Sequence, residues 1–146
     1  MNRREFSALL PLLAAAAPAL ASADPQAAPL QPLQSGEIPE GAAHGPSPTG
    51  RTSHRLTLGM LPGNIRMEAH VTTLAPGAPP EPIEHHKHSE MWLVREGAIT
   101  LLTSGVTHTI KAGDMGLCVA GDLHSVANAS KTEPATYFVV TVGPPE

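Results

Sequence analysis

Gly113-Asp114-Met115-Gly116-Leu117-Cys118-Val119-Ala120-Gly121-Asp122-Leu123-His124-Ser125-Val126-Ala127-Asn128 is the stretch whose reading decides the fold. It sets a lone histidine three residues after a glycine and an asparagine four further on. Upstream, Glu84-His85-His86-Lys87-His88-Ser89-Glu90 runs into Met91-Trp92-Leu93-Val94-Arg95-Glu96-Gly97. Imidazole and carboxylate suit first-row transition metals. A dense His/Glu run on one strand and a distant His on another is how a β-barrel assembles a metal site from sequence-remote residues. Alternate side chains of a strand share a face, so a straight strand would turn Glu84, His86, His88 and Glu90 inward, leaving His85, Lys87 and Ser89 outside. The competing explanation is a solvated, His-rich loop. Three histidines and two carboxylates within seven residues argue against it.

Around these blocks the chain reads as short strands separated by turn residues. Arg55–Met60 alternates, Leu61-Pro62-Gly63-Asn64 supplies a turn, and Ile65–Val71 follows with apolar residues at every second position. Met91–Val94 and Ala98–Thr103 break at Glu96-Gly97. Ser104-Gly105 leads into Val106–Ile110, and Ala112-Gly113-Asp114 turns the chain again. Leu117–Ala120, Ser125–Asn128 and Thr136–Val142 complete eight to ten expected strands. Beyond the N-terminal segment no helical period persists over two turns. The expected fold class is all-β, a jelly-roll sandwich or barrel over residues 51–146.

The two blocks resemble the paired motifs of the cupin superfamily. The second motif of that family runs Gly, five residues, Pro, one residue, Gly, two residues, His, three residues, Asn. Gly113, Gly121, His124 and Asn128 keep this spacing, with Val119 at the proline position. In the first motif, Glu90 and Gly97 keep the closing spacing and His86 stands as the second histidine. Glu84 occupies the place of the first. The motifs cover residues 77–128 and the flanking strands extend the likeness to 51–142. The resemblance implies a small, single-domain, Cupin_2-like jelly roll.

His86, Glu90 and His124 then form the expected ligand set, the composition of the facial triad of non-haem iron sites. Glu84 is the expected fourth ligand, set by strand parity. His88 is the alternative if the loop before Glu90 folds back, and His85 is expected beside the site or in solvent. The expected cofactor is a divalent transition metal, iron or manganese ahead of zinc, nickel or copper. His70 is read as a core or edge histidine, and His54, His108 and His44 as solvent-facing. Trp92 and Tyr137 are read as core aromatics. Cys118, the single cysteine, is weighed as a metal thiolate and favoured as a small buried residue.

The N-terminus reads as a processing segment. Arg3-Arg4 precedes Phe6, an apolar run spans Ser7 to Leu20, and Ala21-Ser22-Ala23 offers a small-x-small cleavage site. This is the pattern of a twin-arginine (Tat) signal peptide over residues 1–23, read by the Tat export machinery. The apolar run holds Pro11 and Pro18 and falls short of the roughly 20 residues of a membrane span. A periplasmic or secreted protein is therefore expected, with no stable membrane span. Residues 24–50 carry six prolines and read as a linker, or as an arm lying across a partner in a homodimer. Without residues 1–23 the chain has 7 basic and 12 acidic residues, which argues against a nucleic-acid surface.

Three functions compete at this stage. A metal-dependent oxidoreductase of dioxygenase type, acting on a small organic molecule, would use the open positions of a facial triad. A non-catalytic periplasmic binder of metal or small ligand would need a closed site, which Glu84 plus His88 would supply. A metal-dependent isomerase needs a base within reach of substrate, and no catalytic residue stands out for that role.

Overall fold

The computed structural model describes residues 29–40 and 48–145; the expected twin-arginine signal over residues 1–23 and His44 lie outside them. Eight strands run in chain order: β1 (Arg51–Leu61), β2 (Ile65–Leu74), β3 (Ser89–Glu96), β4 (Ala98–Thr103), β5 (Val106–Lys111), β6 (Met115–Cys118), β7 (His124–Asn128) and β8 (Ala135–Gly143). They form a five-stranded sheet, ordered β1-β2-β8-β3-β6, and a three-stranded sheet, ordered β5-β4-β7. Every ladder is antiparallel. This is the jelly-roll sandwich expected from the strand spacing.

Two turns show why the chain folds where it does. Ser104 and Gly105 both have positive φ, at 48° and 80°, and join Thr103 to Val106 as a two-residue hairpin whose twist suits its strands. Gly97 alone separates β3 in one sheet from β4 in the other. Its φ is 72°, and a Cβ there would stand 2.3 Å from the carbonyl oxygen of Pro134. Only glycine makes that corner.

The core lies between the sheets and is built from Leu74, Trp92, Val94, Ile99, Leu101, Cys118, Val126, Ala135, Tyr137 and Val139. Each large apolar side chain removed from water there stabilises the fold by about 1.5–3 kcal/mol. Trp92 and Tyr137 take the core roles expected of them. Tyr137 satisfies its hydroxyl by donating to Glu81 Oε1 at 3.2 Å. Cys118 is buried, with its sulfur 3.5 Å from the Thr103 hydroxyl that donates to it.

The register also shows which way each strand faces. Thr72 pairs with Tyr137 and His70 with Val139, so both point to the core side of the five-stranded sheet. The alternation expected in β2 is present with its polar set inward. Glu68, His70 and Thr72 share the face of Tyr137 and Val139, while Ala69 and Val71 lie on the opposite face and are buried there too.

One placement departs from expectation. His54 is buried, because β1 starts at Arg51 rather than Arg55 and sets it in mid-strand; its Nε2 lies 3.3 Å from Glu40. Part of the proline-rich stretch lies against β1. Leu33 N–H donates to the Met60 carbonyl and Met60 N–H to that of Gln31, so residues 31–33 run along the edge of β1. Glu40 also pairs with Arg95 at 3.3 Å.

Candidate metal centre

The two sequence blocks meet through their backbones. Gly121, at φ 91°, donates its N–H to the His86 carbonyl at 2.8 Å. Glu84 and His124 exchange both backbone hydrogen bonds, at 2.9 and 3.0 Å. In such an antiparallel pair the two side chains share a face. Asn128, the last motif residue, acts as a clamp: its Nδ2 lies 2.8–3.2 Å from the carbonyls of Leu74, Ala75 and Glu133. It fixes the far end of β7 against β2.

Glu90 projects inward from β3 between β6 and β8, opposite Cys118 and Thr141. His86, Glu90 and His124 each offer a ligand atom, all within 4.8 Å of one another. The Glu90 carboxylate is shared out: Oε2 lies 3.3 Å from His124 Nε2, and Oε1 lies 3.9 Å from His86 Nε2. His124 is buried, tilted against Trp92 at 5.4 Å between ring centres. Its Nδ1 lies 3.4 Å from the Asp122 carbonyl. The tautomer that donates there leaves the Nε2 lone pair toward Glu90.

The run from Glu84 to Glu90 is not a straight strand. The chain bends at Lys87-His88, and β3 begins only at Ser89. Glu84 shares the face of His124 but stays exposed, its Oε2 3.6 Å from His86 Nε2 and outside the three converging groups. His88 is buried and stacks on His86 at 4.7 Å, with Nε2 2.8 Å from Glu90 Oε1. It orients the carboxylate, as outer partners of metal ligands do. His85, exposed, borders with His86 an open depression of about 670 Å³. Glu84→Gln is expected to weaken metal binding about tenfold, the scale of losing a supporting partner. Unchanged affinity there, with a large loss in His88→Ala, would assign the fourth position to His88 instead.

Two carboxylates of the interior, Glu81 and Glu68, were not singled out in the sequence. Glu81, between Pro80 and Pro82, accepts from Tyr137 and pairs with Arg51 at 2.7 Å. Burial pushes its carboxyl above the usual range, against the pull of Arg51 and Tyr137. Glu68 stays below that range despite burial, because Arg66 and Arg55 hydrogen-bond it. His70 faces the same interior, and burial lowers its pKa. The signal for Glu68 was strand parity: Arg66, Glu68 and His70 alternate on one face of β2.

Residues 70–141 match the family model described as Cupin_2, a cupin domain. No curated protein sequence matches the chain. Among solved structures, an RmlC-like cupin from Shewanella frigidimarina is 19% identical, with 67% of this chain and 80% of that one aligned at a TM-score of 0.56. KdgF from Halomonas sp. is 17% identical, over 73% and 91% of the two chains, with a TM-score of 0.57. Both likenesses are of fold. A sugar phosphate isomerase of the cupin superfamily from Silicibacter pomeroyi is 27% identical, over 66% of this chain and 61% of that one, with a TM-score of 0.52.

Proposed function

We propose that this chain, whose residues 70–141 match a cupin domain, is an exported, metal-dependent enzyme acting on a small organic molecule. The observation that carries this is the convergence of His86, Glu90 and His124 within 4.8 Å. Two imidazoles and one carboxylate, drawn from β3, β7 and the bend before β3, fit a divalent iron or manganese ion. When bound, such an ion would supply open coordination positions for substrate and dioxygen. The protein's own part is to hold the ligands. The Asp122 carbonyl favours one His124 tautomer, His88 orients Glu90, and Trp92 packs against the His124 ring.

An oxidoreductase of dioxygenase type is the first reading. The 27% likeness to a sugar phosphate isomerase supports a metal-dependent isomerase as the second. Oxygen uptake by the iron-loaded protein, measured over a panel of small hydroxy and keto acids, separates them. Uptake stoichiometric with product is expected; turnover of the same acids without dioxygen would select the isomerase. Activity that survives complete chelation would overturn both. The twin-arginine pattern at Arg3-Arg4 supports a periplasmic or secreted location.

A further inference from the structure

The interior of the five-stranded sheet has a second polar region, one that the candidate metal centre does not use. The core cluster draws on β2, β3, β4, β6, β7 and β8, and β1 gives it no side chain. Over the inner face of β1 and β2 lies a cavity of about 350 Å³ lined by Arg51, Ser53, Arg55, Glu68 and His70. Arg55, His70, Val139 and Trp92 lie in one row across the sheet. Two strand spacings, about 10 Å, therefore separate His70 from Trp92, whose ring meets His124.

We propose that this cavity binds a carboxylate on the substrate, holding it so that the opposite end reaches His86, Glu90 and His124. The proposal rests on the metal-dependent reading above. Arg55 makes its one side-chain hydrogen bond among the described residues through Nε, to Glu68 at 3.0 Å, leaving both terminal nitrogens to donate. Arg51 reaches Glu81 through one terminal nitrogen. Ser53 already accepts from Thr72 at 3.0 Å, so its own hydroxyl proton is available to a ligand. Burial favours the neutral form of His70, which offers one N–H.

Charge decides between anions. Of the residues lining the cavity, Arg51 and Arg55 are cationic and Glu68 anionic, an excess of one positive charge. That matches a single carboxylate and falls short of a phosphate dianion. The guanidinium fork also fits a carboxylate in the plane.

Glutarate is the probe, with inorganic phosphate as comparator, titrated calorimetrically into the manganese-loaded full chain. Arg55 is the residue to change, because its side chain is 59% exposed and the fold does not rest on it. Arg55→Gln is expected to weaken glutarate binding at least about tenfold, the scale of one charge-assisted hydrogen bond, with manganese content unchanged. His70→Gln should weaken it less. Glutarate affinity unmoved by both substitutions, or no glutarate binding to the unaltered protein, would overturn the proposal. Phosphate binding more tightly than glutarate, and lost in Arg55→Gln, would overturn the choice of carboxylate. Arg55-dependent glutarate binding in a chain that takes up no metal would uphold the cavity and defeat the metal reading.

Discussion

His124→Ala is expected to abolish stoichiometric metal binding, with affinity falling by more than about a hundredfold, the upper end of what losing even an outer partner costs. His124 is the one ligand of the candidate set contributed by β7; His86 and Glu90 come from a single short stretch leading into β3. Without it a histidine and a carboxylate remain, too few for a stable protein site. His124 is also buried against Trp92, so the substitution leaves a cavity. Metal content by mass spectrometry must therefore be read beside a thermal unfolding curve showing that the variant is folded. Full occupancy in a folded variant would sink the assignment.

The second large effect concerns which metal the protein carries. A twin-arginine signal addresses chains that cross the membrane already folded, which permits loading in the cytoplasm. Nitrogen and oxygen sites bind divalent metals more tightly along the series toward copper, so manganese or iron loses an open competition. A site of His86, Glu90 and His124 would be exposed to that competition in an exported protein. Protein exported by way of the proposed Arg3-Arg4 signal is expected to carry mainly iron or manganese. The same protein, unfolded, stripped and refolded with equimolar iron, manganese, zinc and copper, should take up copper or zinc. Identical metal content by both routes would leave the signal as an address alone.

Much of the fold was legible because it rests on local chemistry. Gly97, Ser104-Gly105 and Gly121 mark turns through conformations that other residues rarely adopt, and the chain turns at each of them. The convergence of His86, Glu90 and His124 agrees with what the cupin resemblance implied, and backbone bonds between the two blocks set their register. What escaped depends on tertiary placement. The bend at Lys87-His88 breaks the parity of the histidine run, turning His88 onto Glu90 and leaving Glu84 in solvent. Alternation in β2 was visible, but period alone does not say which face meets the core. The inward set proved polar, bringing Glu68 and His70 beside Arg51 and Arg55. Burial of His54 and the course of residues 31–33 rest on Glu40 and on the edge of β1, contacts that no local pattern encodes.

The most direct test is anomalous scattering from crystals of the protein soaked in manganese. One peak per chain is expected, at about 2.0–2.2 Å from Nε2 of His86, a Glu90 carboxylate oxygen and Nε2 of His124, the usual range for such donors on a first-row divalent ion. A peak held instead by His85 or by surface carboxylates, or none at this cluster under saturating manganese, would contradict the metal site.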